Sequence, residues 1–203
     1  MWNRTENQID LYLIRHGATV ANEEHRYLGW TEEPLSDVGI KKLKELAEKR
    51  KLPKPQRVFA SPMQRCRQSA EILFPGVPVC KVPEWKEMNF GNFENKNYEE
   101  LKDDPAYQAW IDGGGKGAFP GGESREAFIR RTVTGMERVG RCLSGGASCD
   151  PVACLIHGGT IMALLSYYAG GAYFDYQVEN AAGYHCRLII VGNKMKILIE
   201  ERI

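Results

Sequence analysis

The chain has 203 residues, a length that favours one large domain over two small ones. Hydrophobic residues make up 43% and charged residues 26%, which excludes a disordered or fibrous protein. The net charge of +1 lacks the basic excess on which nucleic-acid-binding proteins depend. We therefore expect a single domain over residues 1–203 that binds no nucleic acid.

The apolar runs and the cysteines indicate the cellular compartment of the protein. No uninterrupted apolar run approaches the roughly 20 residues that span a bilayer, and the polar N-terminal stretch does not resemble a secretory signal. The cysteines form no Cys-x-x-Cys pair, which favours reduced thiols over a zinc cluster or a disulfide framework. They are Cys66, Cys80, Cys142, Cys149, Cys154 and Cys186. We expect a cytoplasmic protein that does not contact a membrane.

The N-terminal part of the chain begins with a strand pattern and continues with a helix pattern. Residues 9–14 are apolar and β-prone and end in a polar cluster, as a buried parallel strand does. Ser36 is a good N-cap, and the apolar residues from Ile40 to Ala47 recur at helical spacing. The spacing therefore predicts an amphipathic helix after Ser36.

The next segment repeats this strand and helix order. Residues 57–60 are typical of a strand. Ser61 is predicted to cap the following helix, with Pro62 at its first position and the helix running over 63–74. Residues 77–82 predict another short strand.

A glycine-rich and aromatic stretch, 92–122, is predicted to be irregular, partly helical and partly mobile. Trp110 and the glycines at 113–115 lie within it, and the stretch is either a substrate lid or an irregular connection. Ser124 then opens a helix whose apolar residues keep a period near 3.6 up to Leu143. Gly145-Gly146 is expected to end that helix.

The C-terminal part of the chain predicts a third buried strand at 152–156 and a helix over 160–169. It closes with strands at 184–191 and 195–200 around a turn at 192–193, which indicates a hairpin. Strands that alternate with helices imply an α/β fold of three layers, a mainly parallel sheet with helices on both faces. In such sheets, ligands lie beyond the carboxyl ends of the strands.

Two similar tripeptides follow predicted strands and are expected to face one crevice. Arg15-His16-Gly17 ends the first strand, and His157-Gly158-Gly159 ends a later one. Glycine after each histidine lets backbone N–H groups approach a bound anion. Arg65 is predicted in the first helical turn after Pro62, where its guanidinium group and the helix N-terminus can both face a phosphate. The sequence therefore predicts a phosphate site.

These motifs resemble the histidine phosphatase superfamily, the phosphoglycerate-mutase-like proteins. The resemblance covers most of the chain, in the family's order. Its motifs are Leu11 to Gly17, Asn22, Gly29-Trp30-Thr31, Pro34-Leu35-Ser36, Ser61 to Arg65, Glu87 to Gly91, Gly122-Glu123-Ser124 and His157-Gly158-Gly159. Ala18 and Asn95 depart from the residues usual in the family, which bears on substrate preference more than on chemistry.

The resemblance implies roles for particular residues. His16 is the expected nucleophile, and Glu87 is the expected proton donor. The expected substrate- and phosphate-binding residues are Arg15, Asn22, Gly29, Arg65, His157 and Gly158. The catalytic set is thus His16, Glu87, His157, Arg15 and Arg65.

Elementary chemistry agrees with these roles. A neutral imidazole can attack phosphorus, and neighbouring guanidinium groups favour its unprotonated form. Cationic side chains stabilise charge on the transferring group. One carboxyl can protonate the leaving alkoxide and then activate water. We therefore expect neither a metal nor a cofactor.

Other residues have simpler interpretations. Glu84, Glu94 and Glu99 are nearby carboxylates, but the spacing to Phe90-Gly91 favours Glu87 as the acid. His25 and His185 match no motif and are interpreted as structural. The basic helix that contains lysines from 41 to 51 also carries glutamates, so we interpret it as a solvated face.

Three functions remain in competition. The chain lacks the added segments of longer phosphoglycerate mutases, which favours hydrolysis over mutase-type transfer. The segments 27–36 and 120–124 are most similar to α-ribazole phosphatases, so the substrate is α-ribazole 5′-phosphate or another small phosphorylated metabolite. A catalytically inactive phosphate-binding module is the third interpretation. We expect a monomer or a homodimer.

Overall fold

The computed structural model describes residues 6–49, 52–115, 117–144 and 150–203. Its strands are β1 (Glu6–Arg15), β2 (Arg57–Ala60), β3 (Val79–Lys81), β4 (Val152–Ile156), β5 (Gly183–Val191) and β6 (Lys194–Arg202). They form one sheet in the order β3-β2-β4-β1-β5-β6. Strands β3, β2, β4 and β1 are parallel, whereas β5 pairs antiparallel with both β1 and β6. The mainly parallel sheet and the terminal hairpin are therefore confirmed.

Seven α-helices accompany the sheet in the described part of the chain. They are α1 (Val20–Glu23), α2 (Asp37–Lys49), α3 (Gln64–Leu73), α4 (Tyr98–Leu101), α5 (Pro105–Asp112), α6 (Arg125–Ser144) and α7 (Gly158–Tyr168). Three short 3₁₀ turns lie at 83–85, 91–93 and 173–176. None of the described helices is long and apolar enough to cross a membrane.

Apolar side chains fill both faces of the sheet. Met136 of α6 and Leu164 of α7 pack with Leu13 on one face. Leu43 of α2 and Cys66 of α3 pack on the other face. All five residues of β4 are buried because both faces are covered. The three-layer α/β fold is confirmed, with the carboxyl ends of β1 and β4 adjacent at one edge.

The helix starts are partly as predicted. The Ser36 hydroxyl accepts a hydrogen bond from the Gly39 N–H at 3.1 Å, as an N-cap does. The predicted start of α3 is wrong: the helix begins at Gln64, and its N-cap Met63 makes no side-chain hydrogen bond. Ser61 does not cap it, because Ser61 lies two residues before the N-cap; its hydroxyl accepts from the Met63 N–H at 3.4 Å and lies 2.7 Å from Nε2 of His157. Pro62 therefore precedes the helix.

The stretch 92–122 is partly helical, as predicted. Asn97 and Asp104 cap α4 and α5 through their side chains. Trp110 of α5 packs with Phe93 and Phe119 in a third apolar cluster. Mobility of this stretch stays a prediction, and Gly145-Gly146 lies outside the described residues.

Candidate active site

Two histidines meet where the neighbouring parallel strands β1 and β4 end. Arg15 is the partner of Ile156 in the sheet, so His16 and His157 leave the sheet side by side. Their ring centroids are 5.1 Å apart, and the ring planes are inclined by 70°. The topology thus brings together two residues that are 141 positions apart in the chain, His16 and His157.

His16 is held so that one nitrogen remains available. The side chain is 3% exposed, and its Nδ1 atom lies 2.7 Å from the Gly17 carbonyl oxygen. Since a carbonyl oxygen only accepts, Nδ1 carries the proton and Nε2 keeps its lone pair. Burial lowers the pKa of His16 well below its usual value, and the charges of Arg65 and Arg15 lower it further. His16 is therefore a neutral imidazole.

His157 is fully buried and is held on its Nε2 side. The Ser61 hydroxyl lies 2.7 Å from Nε2, and the Cys66 sulfur lies 3.5 Å from the same nitrogen. Burial lowers the pKa of His157 well below its usual value, and the charges of Arg65 and Arg15 lower that pKa further. His157 is likewise neutral, so the positive charge at this edge comes from the arginines.

Arg15 keeps a buried donor without a partner. Its Nη1 donates to the Val178 carbonyl oxygen at 2.8 Å. Its Nε is buried and has no hydrogen-bond partner among the described residues. A buried N–H of this kind needs an acceptor, because leaving it unpaired costs free energy. A phosphoryl oxygen would supply that acceptor.

Gly158 and Asn22 lie beside these groups. Gly158 is the first residue of α7, and a Cβ atom there would lie 3.4 Å from Nε of Arg15. The Asn22 Oδ1 accepts from Nδ2 of Asn180 at 3.2 Å, and the same Nδ2 lies 3.1 Å from the His16 carbonyl oxygen. Asn180 thereby orients Asn22 beside His16 and leaves the Asn22 amide nitrogen as a donor.

Arg65 lies in the first turn of α3, as predicted, and is 1% exposed. Its Nη2 donates to the Gly29 carbonyl oxygen at 2.7 Å, and its Nη1 donates to the Thr31 carbonyl oxygen at 3.0 Å. Two backbone oxygens therefore hold the guanidinium plane in one orientation. Hereafter His16, His157, Arg15 and Arg65 are called the His–Arg cluster.

Gly29 lies beside Arg65. Its N–H donates to Glu94 at 3.1 Å, and its carbonyl oxygen accepts from Nη2 of Arg65 at 2.7 Å. A Cβ at this position would lie 2.0 Å from the Met88 carbonyl oxygen. Gly29 therefore supports Arg65, and its expected role as a substrate contact stays a prediction.

Glu94 organises the loop that holds Arg65. Its Oε1 accepts from the Trp30 N–H at 2.9 Å, and its Oε2 accepts from the Thr31 hydroxyl at 2.9 Å. The Phe90 N–H donates to Oε1 at 3.1 Å. The Trp30 indole in turn donates to the Glu87 carbonyl oxygen at 2.9 Å. Sequence reasoning missed this role because the bonded residues are far apart in the chain.

Glu87 is a buried carboxyl that faces the His–Arg cluster. It is 9% exposed, and its oxygens accept from the Met88 N–H at 2.9 Å and the Gly159 N–H at 3.1 Å. Burial raises the pKa of Glu87 and outweighs these hydrogen bonds and the charges of Arg65 and Arg15, which lower it. Glu87 therefore holds a proton at a higher pH than an exposed glutamate.

A third arginine, Arg131, fixes the backbone around Glu87. Arg131 pairs with Glu123 at 2.7 Å and donates to the carbonyl oxygens of Glu84 at 2.7 Å and Lys86 at 3.0 Å. It also donates to the Glu87 carbonyl oxygen at 3.3 Å. Glu123 lies in the Gly122-Glu123-Ser124 motif, but the sequence did not show that its partner is Arg131.

The remaining candidates lie elsewhere. His185 stacks on Tyr12 with centroids 4.5 Å apart and lies 3.3 Å from Asp10, in the sheet away from the cluster. Glu84 pairs with Arg138 and Glu99 with Lys102, so both serve as ion-pair partners. In the basic helix α2, Lys49 pairs with Glu45 at 3.1 Å. Within the described residues, no group of acidic, histidine and cysteine side chains forms a metal site.

The arrangement suits transfer of a phosphoryl group. A neutral nitrogen with a free lone pair is a nucleophile, and the two fixed guanidinium groups stabilise negative charge next to it. A buried carboxyl with a raised pKa can supply a proton to a leaving oxygen. The structure thus brings together five of the predicted side chains, His16, His157, Arg15, Arg65 and Glu87.

Comparison with known proteins agrees with this geometry. The family model of the histidine phosphatase superfamily (branch 1) matches residues 11–194. The adenosylcobalamin/alpha-ribazole phosphatase of Salmonella typhimurium is 31% identical over 160 residues, which are 77% of each protein. The structure of the alpha-ribazole phosphatase from Shigella flexneri has a TM-score of 0.80 at 24% identity and covers 94% of this chain and 95% of that one. At this identity the likeness shows the fold alone.

A further structure bears on the choice between hydrolase and mutase. The phosphoglycerate mutase from Thermus thermophilus has a TM-score of 0.66 at 30% identity. The match covers 96% of this chain and 98% of that one. That structure and this chain are therefore similar over nearly their whole lengths. What the family match does establish is that the chain belongs to the histidine phosphatase superfamily and is a phosphatase.

Proposed function

We propose that the chain hydrolyses a small phosphomonoester, without a metal ion, through a phosphohistidine intermediate on His16. The observation that carries this proposal is the neutral His16 imidazole, whose Nδ1 is bound to the Gly17 carbonyl oxygen and whose Nε2 is free. In the first step, Nε2 forms a bond to phosphorus while the ester P–O bond breaks. The leaving alkoxide takes the proton of the Glu87 carboxyl.

The second step returns the enzyme to its starting state. The Glu87 carboxylate accepts a proton from a water molecule as that water attacks phosphorus. The P–N bond to His16 then breaks, inorganic phosphate leaves, and Glu87 is protonated again. Arg15, Arg65 and His157 hold the phosphoryl oxygens in both steps, together with the Asn22 amide and the N–H group of Gly158.

α-Ribazole 5′-phosphate is the first substrate to test. The support is similarity: the Salmonella typhimurium relative is an adenosylcobalamin/alpha-ribazole phosphatase. Mutase-type transfer is the competing reaction, since a similar structure is a phosphoglycerate mutase. Transfer between positions of phosphoglycerate without release of inorganic phosphate would favour the mutase. Turnover of α-ribazole 5′-phosphate no faster than that of generic phosphomonoesters would remove this substrate.

A chelator assay tests the chemistry. The purified protein with excess chelator should release phosphate from p-nitrophenyl phosphate, and His16→Ala should not. Rapid quenching should trap a phosphoryl group that is labile in acid and stable in alkali, and His16→Ala should not carry it. Loss of activity on chelation would overturn the metal-free mechanism. No turnover of any phosphomonoester by the wild type would favour the inactive phosphate-binding module.

Two broader expectations stay predictions. The five described cysteines are free, which suits a reducing compartment such as the cytoplasm. Size-exclusion chromatography with light scattering distinguishes the monomer from the homodimer.

A further inference from the structure

An apolar cavity adjoins the His–Arg cluster on the side of Glu87. Its volume is about 280 Å³, and Glu87 and Gly159 lie in its wall. The rest of the wall includes Tyr27, Met88, Phe90, Trp110, Phe119, Arg125, Met162, Tyr173 and Phe174. Glu87 is the proposed donor to the leaving oxygen, so this cavity adjoins the position from which the leaving alcohol departs.

Interlocked aromatic rings form one wall of the cavity. The rings of Tyr27 and Phe90 lie 5.2 Å apart, and those of Phe90 and Phe119 meet edge to face at 5.0 Å. Trp110 stacks on Phe119 with centroids 4.7 Å apart. Because each ring packs against the next, the wall is formed before a ligand binds, which lowers the cost of binding a rigid group.

The polar atoms of these aromatic residues are already bonded within the protein. The Tyr27 and Tyr107 hydroxyls are 3.2 Å apart, and the Trp110 indole donates to the Gly117 carbonyl oxygen at 3.3 Å. The Tyr173 hydroxyl donates to the Gly159 carbonyl oxygen at 3.3 Å. The aromatic wall therefore presents carbon to a ligand and selects against a strongly polar one.

Arg125 is the charged group of the described wall besides Glu87. Its guanidinium lies over the rings of Tyr173, at 5.3 Å, and Phe174, at 4.8 Å. One nitrogen donates to the Gly115 carbonyl oxygen at 3.3 Å, and among the described residues no carboxylate pairs with Arg125. The guanidinium thus offers a flat cationic face and spare N–H donors.

We propose that this cavity is the leaving-group subsite and that it takes an uncharged aromatic or heteroaromatic ring carried by the substrate's alcohol. The ring packs against Phe90, Phe119 and Trp110, and Arg125 contacts its π face or a ring acceptor atom. The inference rests on the proposed phosphatase function, but the class of alcohol follows from the cavity wall. If the alcohol were small and carboxylated, its carboxylate would lie among the carbon atoms of the cavity wall, and Arg125 would be its one cationic partner there.

A matched pair of substrates tests the ring. 3-Phenylpropyl phosphate and propyl phosphate have leaving alcohols of similar acidity, so their difference reports the ring and not intrinsic reactivity. We expect kcat/KM to be at least about tenfold higher for the phenyl compound, the scale of burying an aromatic side chain. 3-Phosphoglycerate, the carboxylated comparison, should be the poorest of the three.

Variants of the cavity wall test whether the preference for the phenyl compound arises in the cavity. Phe174 is 55% exposed, so Phe174→Ala is expected to fold, and it should lower the phenyl-to-propyl ratio several-fold. Phe119→Ala should lower it further, and circular dichroism checks its fold. Tyr167 of α7 is 60% exposed and lies outside the cavity wall, so Tyr167→Ala is the matched control and should leave the ratio unchanged.

A binding measurement keeps the inference independent of turnover. Calorimetric titration with 3-phenylpropylphosphonate and propylphosphonate, which cannot be hydrolysed, should show the same preference. Equal affinities would overturn the subsite whether or not the enzyme is active. A preference for 3-phosphoglycerate that Arg125→Gln removes would replace the aromatic ligand with an anionic one. Absence of hydrolysis with a clear phenyl preference in binding would overturn the proposed function and leave the subsite supported.

Discussion

Nδ1 of His16 lies 2.7 Å from the carbonyl oxygen of the next residue, Gly17. This short bond leaves Nε2 of the imidazole as the nitrogen that can attack phosphorus. The Gly17 N–H donates to the Ser69 hydroxyl at 3.0 Å, and that hydroxyl donates to the Arg65 carbonyl oxygen at 2.7 Å. The nucleophile and the helix that carries Arg65 are therefore positioned by one chain of hydrogen bonds.

The pH dependence of kcat/KM should reflect opposite shifts in two groups. His16 must be neutral to attack, and its pKa is lowered, so activity should persist below the ordinary histidine pKa of about 6.5. Glu87 must be protonated to donate, and its pKa is raised, so activity should fall as the pH rises through that raised value. Glu87→Gln should lack the basic limb. An unchanged basic limb in Glu87→Gln would assign it to another group.

Glu87→Gln should also separate the two chemical steps. With propyl phosphate, kcat should fall by about 10²- to 10⁴-fold, because the alkoxide must leave without a proton. With p-nitrophenyl phosphate the first step needs no acid, but hydrolysis of the phosphohistidine lacks its base. Stopped-flow absorbance should then show a burst of nitrophenolate close to the enzyme concentration. Equal losses on both substrates without a burst would argue that Glu87 has only a structural role.

The sequence predicted the main elements and the meeting of the two histidines. The strand patterns that precede His16 and His157 can be recognised from neighbouring residues alone. Parallel strands end at the same edge of a sheet, so these two patterns are enough to predict that the histidines meet. The predicted start of α3 was wrong because Met63 is extended and is the N-cap, so the helix begins at Gln64. The Ser61 hydroxyl accepts from the Met63 N–H at 3.4 Å and also contacts His157 at 2.7 Å, a tertiary contact that no local pattern shows.

The residues that support the site, Glu94 and Asn180, could not be predicted from sequence because their contacts are also tertiary. Glu94 bonds to the loop at 29–31, and Asn180 bonds to Asn22, so each acts on a segment far away in the chain. No local pattern distinguishes such a residue from a solvated one.

The departure from the family pattern at Asn95 is compatible with the fold. Asn95 has a φ of 58°, a region that asparagine tolerates better than most residues.

Glu94→Gln should weaken the hold on Arg65 without changing acid–base chemistry. An amide would turn its NH₂ toward backbone N–H groups of the loop, and an unsatisfied donor costs about 1–3 kcal/mol. We expect kcat/KM to fall by about tenfold and inhibition by inorganic phosphate to weaken in parallel. The pH profile should keep its wild-type midpoints, which separates this role from that of Glu87.

Glu99→Gln is the control for that variant. Glu99 pairs with Lys102 on the surface at 2.8 Å, so its replacement should alter neither kcat/KM nor phosphate inhibition. If Glu94→Gln behaved like Glu99→Gln, the carboxylate would not position Arg65. A loss of thermal stability in Glu94→Gln with wild-type kinetics would lead to the same conclusion.

The buried histidines should make the fold sensitive to acid. Burial lowers the pKa of His157 in the folded state, whereas the unfolded chain keeps the ordinary value of about 6.5. The unfolded state therefore takes up protons first as the pH falls, and folding stability is lost from about pH 6.5 downward. Between pH 7.5 and 5.5 the loss should be about 1.4 kcal/mol for each histidine that stays neutral in the folded state.

Glu87 acts in the opposite direction, because its folded-state pKa is raised and the associated stability is lost as the pH rises. The comparison is therefore made in a Glu87→Gln background, by urea unfolding at pH 7.5 and 5.5. Adding His157→Gln should reduce the acid-induced loss by about 1.4 kcal/mol, whatever its effect on absolute stability. His25 is exposed with a φ of 55°, so His25→Asn keeps its backbone conformation and is the control variant. An identical loss in both variants would show that His157 titrates normally in the folded protein.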